Sequence, residues 1–171
     1  MSTEKPTILH MFTPAPNLSP FDVNMAYDAG WNAVATYTEV DVDEVESMIQ
    51  DVIFSRGPKG ARRTGVFIGG RNMQTAMDML ESAWEAMFPP FAVSVFADPS
   101  GAFTTAAAMV AKVEQRLQAC HNTTLEGQRV VVLGGTGPVG SAAAVLAAQC
   151  GAQVVVMGRR QDRADRVAAL C

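Results

Sequence analysis

The chain has 171 residues, of which 49% are hydrophobic and 18% are charged, and its formal net charge is -4. This composition predicts a packed globular protein and excludes a disordered chain. Mild acidity without a basic tract argues against a nucleic-acid partner, and no apolar run reaches the roughly 18 residues that a membrane-spanning helix needs. The N-terminus lacks a leader pattern and the three cysteines are widely spaced, so we expect a cytoplasmic protein with no nucleic-acid, membrane or metal partner.

Short apolar runs alternate with segments of helical periodicity along the first 120 residues. Residues 19–22, Ser-Pro-Phe-Asp, predict the start of a helix, with proline at its first position. Residues 56–63, rich in glycine, proline and arginine, predict a loop, and Pro89-Pro90 are expected to end a helix. The four predicted strands lie at 7–12, 32–37, 65–68 and 91–96. Strands that alternate with helices predict a parallel sheet covered on both faces.

A second pattern follows a polar segment and consists of a strand, a glycine cluster, an alanine-rich helix, a strand and the start of a helix. We predict an α/β protein with a four-stranded parallel α/β/α domain at 1–121, a linker at 122–128, and the start of a Rossmann (doubly wound) domain at 129–171. A complete domain of that kind needs on the order of 100 further residues. We therefore interpret residues 129–171 as its truncated first βαβ unit.

A G-x-G-x-x-G loop lies between the predicted strand and helix of this βαβ unit. In such loops the first glycine permits a tight turn, the second lets a pyrophosphate approach the backbone, and the third allows close helix packing, while the helix N-terminus faces the phosphates. The sequence therefore predicts a dinucleotide site, the alternative being a structural turn without a ligand. Its residues are Gly135, Thr136, Gly137, Pro138, Val139 and Gly140.

Two arginines, Arg159 and Arg160, follow the second strand of the unit. An NAD-selective site usually has an acidic residue there, which accepts a hydrogen bond from the ribose 2′-hydroxyl. A guanidinium instead pairs with a 2′-phosphate. The pair predicts NADP, with NAD possible, although a solvated arginine pair at a helix start is the simpler alternative.

Residues 98–105 connect a predicted strand to the next helix. In open parallel sheets ligands bind at the carboxyl ends of strands, so this segment is well placed for a substrate. Its hydroxyl groups and helix-start amides are suitable donors, and a capped turn without a ligand is the alternative. Together with a residue of the first helix, the predicted substrate-binding residues are Phe21, Asp98, Pro99, Gly101, Thr104 and Thr105.

Several motifs in the same order and spacing resemble the N-terminal domain of methylene-tetrahydromethanopterin dehydrogenases. They are residues 19–26 (SPFDVNMA), 28–30 (DAG), 65–70 (GVFIGG), 96–99 (FADP) with Gly101, 103–106 (FTTA), and 134–137 (GGTG). The resemblance covers essentially the whole chain. It implies a cytoplasmic enzyme of one-carbon metabolism in methylotrophic bacteria, which oxidises methylene-tetrahydromethanopterin to the methenyl form during formaldehyde oxidation and reduces NADP or NAD.

The implied reaction removes a hydride from a carbon between two nitrogens and leaves a delocalised cation. No strong base is needed, so the residues must align the two reactants and stabilise positive charge. Asp98 and Asp22 are the candidate catalytic residues for this electrostatic role. We also expect a small-molecule pterin substrate and a homo-oligomer.

Two alternatives remain open. The chain could be an inactive truncated module that serves only folding or assembly, because members of the family continue well beyond this length. It could also resemble a methylene-tetrahydrofolate dehydrogenase or cyclohydrolase, although hydrolysis would need an activated water.

Overall fold

The computed structural model describes residues 5–171, which divide into two compact units, one ending at Ser100 and the other beginning at Gly101. Within the described residues, none of the helices combines the length and the apolar character needed to cross a bilayer.

The first unit is a four-stranded parallel sheet with three connecting helices. The strand order is β2-β1-β3-β4, and every neighbouring pair is parallel, so the predicted α/β class and parallel sheet are confirmed. The elements are β1 (Ile8–Phe12), α1 (Pro20–Asp28), β2 (Ala33–Tyr37), α2 (Val42–Ala61), β3 (Thr64–Ile68), α3 (Met73–Glu85) and β4 (Ser94–Ala97).

The residues of β1 alternate between the two faces of the sheet. Leu9 and Met11 are buried on one face, where they pack in a cluster with Ala26 of α1. The apolar residues of α2 recur at helical spacing and form its buried side. They are Val45, Ile49, Val52 and Ile53.

Two predicted boundaries in this unit are wrong. The predicted loop at 56–63 is helical as far as Ala61 except for a break at Gly57, just before Pro58, where φ is 62° and ψ is 175°. The fourth strand begins at Ser94 instead of Phe91, because Phe91 forms an isolated antiparallel bridge with Phe88 across the Pro89-Pro90 turn.

The second unit contains α4 (Ala102–His121), β5 (Arg129–Leu133), α5 (Pro138–Gln149), β6 (Gln153–Met157) and α6 (Gln161–Ala168). Strands β5 and β6 are parallel and joined through α5, as a βαβ unit requires. Helix α4 packs against α5, so it groups with this unit, whereas the sequence placed it in the first domain. The boundary between compact units therefore does not coincide with the predicted linker at 122–128.

The two faces of the β5–β6 sheet differ in exposure. Along both strands half-buried and exposed residues alternate. Helix α5 contributes a buried set of alanines, 142–144 and 147. The opposite face of the sheet is apolar but exposed, with Leu133 at 77% and Met157 at 50%.

Candidate functional site

The carboxyl ends of the four strands in the first unit are held in line by three backbone hydrogen bonds. Just beyond the strands, Thr13 N–H donates to Tyr37 O (3.0 Å), Gly69 N–H to Phe12 O (2.8 Å) and Asp98 N–H to Ile68 O (3.0 Å). Each bond continues the sheet pattern one residue into a connecting loop. The edge at which parallel sheets bind ligands is therefore fixed by the backbone.

The two predicted catalytic carboxylates, Asp22 and Asp98, come together at this edge. Asp98 follows β4 and is 6% exposed. Asp22 lies in the first turn of α1 and is half-buried. Burial raises the pKa of Asp22, and the negative charge of Asp98 raises that pKa further, because a neighbouring like charge disfavours ionisation. The two carboxylates therefore repel one another at this edge of the sheet.

Two glycines in the loop after β3 lie close to neighbouring side chains. A Cβ on Gly69 would lie 3.3 Å from Phe67, 3.4 Å from Leu18 and 3.8 Å from Asp22 Oδ2. Gly70 has φ +112°, which favours glycine, and its carbonyl accepts a hydrogen bond of 2.9 Å from Ser100 Oγ. Since Ser100 itself has φ 57°, a strained residue ties the loop after β4 to the loop after β3.

The other predicted substrate-binding residues divide between the two units. In the first unit Phe21 is 67% exposed and Pro99 is fully buried. Gly101, Thr104 and Thr105 belong to the start of α4 and so to the second unit. There the Thr104 hydroxyl donates to Gly101 O at 3.4 Å.

The glycine loop of the second unit has the compact form that the sequence predicts, although its glycines divide their roles differently. The positive φ of the turn, 71°, is at Gly134 and not at Gly135. Gly135 is required because a Cβ there would lie 2.7 Å from Val156 Cγ1. At Gly140 an added Cβ would clash with the backbone of Gly134 and Gly135, which leaves no room for a side chain at the start of α5.

Among the three glycines of the G-x-G-x-x-G motif, Gly137, the N-cap of α5, is the one at which an added Cβ would fit. A Cβ there would meet only Gly134 O, at an ordinary 3.5 Å. The N–H of Gly137 donates to Gly134 O (3.0 Å), and the first intrahelical bond runs from Ser141 N–H to Gly137 O (2.8 Å). The N–H groups of Val139 and Gly140, in the first turn of α5, thus have no carbonyl of their own helix to bind, and such groups bind anions.

An open cleft of about 640 Å³ lies over this loop. Of the predicted cofactor residues it is lined by Thr136, Gly137, Pro138 and Arg159, and its remaining lining residues are Gly134, Met157, Gly158 and Arg163. Arg160 lies outside this lining and forms a two-bond pair with Asp162, at 3.0 and 2.8 Å.

Arg163 is the cleft residue that sequence reasoning did not assign. It lies in the first turn of α6, which begins at Gln161, whereas Arg159 precedes the helix and its N-cap. Helical spacing therefore does not relate the two arginines. The sequence signal that could have identified Arg163 is its position in the first turn of the helix that follows the second strand of the βαβ unit.

Comparisons with known proteins show which family and which relatives the chain is similar to. Residues 20–100 match the family described as methylene-tetrahydromethanopterin dehydrogenase, N-terminal. The chain is 51% identical over 163 residues to the NAD(P)-dependent methylenetetrahydromethanopterin dehydrogenase of Methylorubrum extorquens strain AM1, covering 95% of this chain and 55% of that protein. It is 37% identical over 161 residues to Bifunctional protein MdtA of the same strain, covering 94% of this chain and 54% of that protein.

The chain thus spans about half the length of the curated relatives it matches. Among solved structures, a dipicolinate synthase from Bacillus halodurans aligns with 95% of this chain and 65% of its own, at 16% identity and a TM-score of 0.37, a likeness too distant to bear on function. The sequence resemblance is confirmed by the matched family and by the 51% identity to the N-terminal part of the first relative. Residues 20–100 therefore match the N-terminal domain of the methylene-tetrahydromethanopterin dehydrogenases, and the similarity to the first relative extends over 95% of the chain.

Proposed function

We propose that the protein is an oxidoreductase that transfers a hydride from methylene-tetrahydromethanopterin to NADP, or to NAD, and so forms methenyl-tetrahydromethanopterin. The observation that carries the proposal is the 51% identity to a methylenetetrahydromethanopterin dehydrogenase over 95% of the chain. That alignment extends through nearly all of both units, and therefore through the carboxylate edge and the glycine cleft.

The cleft of the second unit fits a dinucleotide. Gly137 leaves space for a phosphate beside the backbone, and the first-turn amides of α5 supply donors for it. Arg159, at the end of β6, supplies a guanidinium for a 2′-phosphate. When bound, the nicotinamide cofactor supplies the hydride acceptor. The residues of the chain bind and orient it.

The first unit supplies negative charge where the reaction develops positive charge. Loss of a hydride turns the methylene carbon and its two nitrogens into a delocalised cation. Asp98 and Asp22, already close enough to raise the pKa of Asp22, would stabilise that cation more than the neutral substrate, which lowers the barrier. The exposed ring of Phe21 offers an apolar surface to a flat pterin.

A steady-state assay tests the proposal. The protein is incubated with methylene-tetrahydromethanopterin and NADP or NAD, and formation of the methenyl product and the reduced cofactor is followed by absorbance. Turnover with a higher kcat/KM for NADP is the expected result. Binding of neither nucleotide and no turnover would contradict it, and would favour the module that serves only folding or assembly.

Two variants test the cofactor preference within that assay. The double variant, Arg159→Ala with Arg160→Ala, should bind NADP more weakly while its affinity for NAD changes little. The reason is that a guanidinium contributes to binding a 2′-phosphate and little to binding a hydroxyl. An equal loss for NADP and NAD would contradict this role. The same assay, with a methylene-tetrahydrofolate substrate in place of the methanopterin, tests the folate alternative.

We also propose that the protein is a cytoplasmic homo-oligomer. Cell fractionation would test the location and light scattering the oligomeric state.

A further inference from the structure

The end of β6 and the first turns of α6 carry an unusual concentration of charge. Four arginines and one carboxylate that bonds to two of them lie within eight residues: Arg159, Arg160, Arg163, Arg166 and Asp162. Only part of this cluster faces the cofactor cleft. The way the cluster is divided determines how much positive charge a 2′-phosphate would meet.

Asp162 bonds to two of the four arginines, and the other two line the cleft. Its Oδ1 accepts from Arg160 Nε (3.0 Å) and its Oδ2 from an Arg160 terminal nitrogen (2.8 Å), a planar two-bond pair. The same Oδ2 accepts from Arg166, one helical turn further on, at 3.3 Å. Arg159 and Arg163, by contrast, line the cleft.

We propose that Asp162 is a positioning residue that sets cofactor selectivity: it holds Arg160 away from the cleft, and so leaves Arg159 and Arg163 to receive the 2′-phosphate of NADP. The inference rests on the proposed function, since it concerns the same cleft. The same ion pair neutralises part of the positive charge beside the cleft.

The size of the effect follows from exposure. The side chains of Arg160 and Asp162 are 61% and 52% exposed, and an exposed ion pair contributes little free energy. Removal of the carboxylate should therefore strengthen binding of a 2′-phosphate by about two- to fivefold, since it frees Arg160 and removes a negative charge beside the dianion. The gain should shrink with added salt.

An adenosine ligand isolates this effect from the chemistry of the reaction. Affinities of the protein for adenosine 2′,5′-bisphosphate and for AMP are measured by calorimetry at low and high salt. In Asp162→Asn we expect the bisphosphate to bind about two- to fivefold more tightly and AMP to bind as before. Asp162→Glu, which keeps a carboxylate within reach of Arg160, should restore the original ratio of the two affinities.

Asp165→Asn is the matched control. It makes the same change of net charge on the same helix, but Asp165 accepts from Gln161 (2.7 Å) rather than from an arginine. An acidic residue in the first turn also stabilises a helix, so Asp162→Asn can lower the melting temperature. That structural role would not change the ratio of bisphosphate to AMP affinity.

The outcomes separate the two claims. If Asp162→Asn changes the ratio no more than Asp165→Asn does, the role of Asp162 is overturned while the cleft remains a nucleotide site. Arg163→Ala should lower bisphosphate affinity more than Arg160→Ala does. If neither Arg159→Ala nor Arg163→Ala alters the ratio of the affinities for the bisphosphate and AMP, the 2′-phosphate site of the proposed function is contradicted as well.

Discussion

The two units place their candidate binding groups at the same structural position but give them opposite charge. In the first unit the carboxyl ends of the strands lead into Asp98 and the neighbouring Asp22. In the second unit the corresponding ends lead into a glycine turn and Arg159. Residues 1–100, the first unit, carry six basic and thirteen acidic side chains, whereas residues 101–171, the second unit, carry seven basic and four acidic ones. The charge asymmetry along the chain therefore agrees with the chemistry at the two edges.

The cores of the units differ as well. Large side chains such as Phe12, Met11 and Ile49 are fully buried in the first unit, whereas the buried residues of α5 are mostly alanine. Small side chains allow α4 and α5 to approach closely. In both units the carboxyl ends of the strands form the place where a ligand can bind. The residues that follow each strand decide whether that place suits a cation or a phosphate.

The largest expected effect tests the negative edge. Asp98→Asn keeps the shape of the side chain and the backbone hydrogen bond to Ile68 but removes the charge. We expect kcat to fall about 100-fold, as for the loss of one preorganised electrostatic group. Steady-state kinetics measures this change. An unchanged kcat would show that this edge does not stabilise the cation.

A smaller effect tests the positive edge. In Gly140→Ala the new methyl group clashes with the backbone of Gly134 and Gly135, so we expect a loss of about 1–3 kcal/mol in the free energy of unfolding, measured by urea denaturation. Gly137→Ala is the matched variant, because its methyl group meets only one oxygen at 3.5 Å. Gly137→Ala should leave the free energy of unfolding unchanged and lower the affinity for NADP. Equal instability in both variants would contradict the distinction.

The smallest effect concerns Asp22 and the pH dependence of stability. Its pKa in the folded protein is raised above the ordinary 3.8, so the folded state loses stability as pH rises from that value through the raised pKa. Asp22→Asn should therefore melt at a higher temperature than the wild type at pH 7. The difference should vanish below the ordinary pKa, where both states are protonated.

The Asp98→Asn background supplies the control for that measurement. Since the charge of Asp98 contributes to the shift, the gain in melting temperature from Asp22→Asn should be smaller there. An equal gain in both backgrounds would mean that the two carboxylates do not interact.

Periodicity and turn residues were sufficient to predict most elements of this fold. All six strands and the βαβ order came from apolar runs separated by glycine and proline, and the first strand of the second unit, 129–133, agrees residue for residue. Local patterns could not show that Phe91 would bond back to Phe88, or that α4 would pack against α5, because tertiary contacts decide both. The same holds for Arg160, whose direction depends on Asp162.

The hydrogen bonds that extend past the strand ends have a consequence for the dynamics of the first unit. The amide protons of Thr13, Gly69 and Asp98 belong to loops by their position in the chain, but each is engaged as a strand amide would be. Their exchange with deuterated solvent should be as slow as that of the central strands, which open only with the whole unit. A ligand that reaches Asp98 would then meet an edge that is already ordered, and little conformational entropy would be lost on binding.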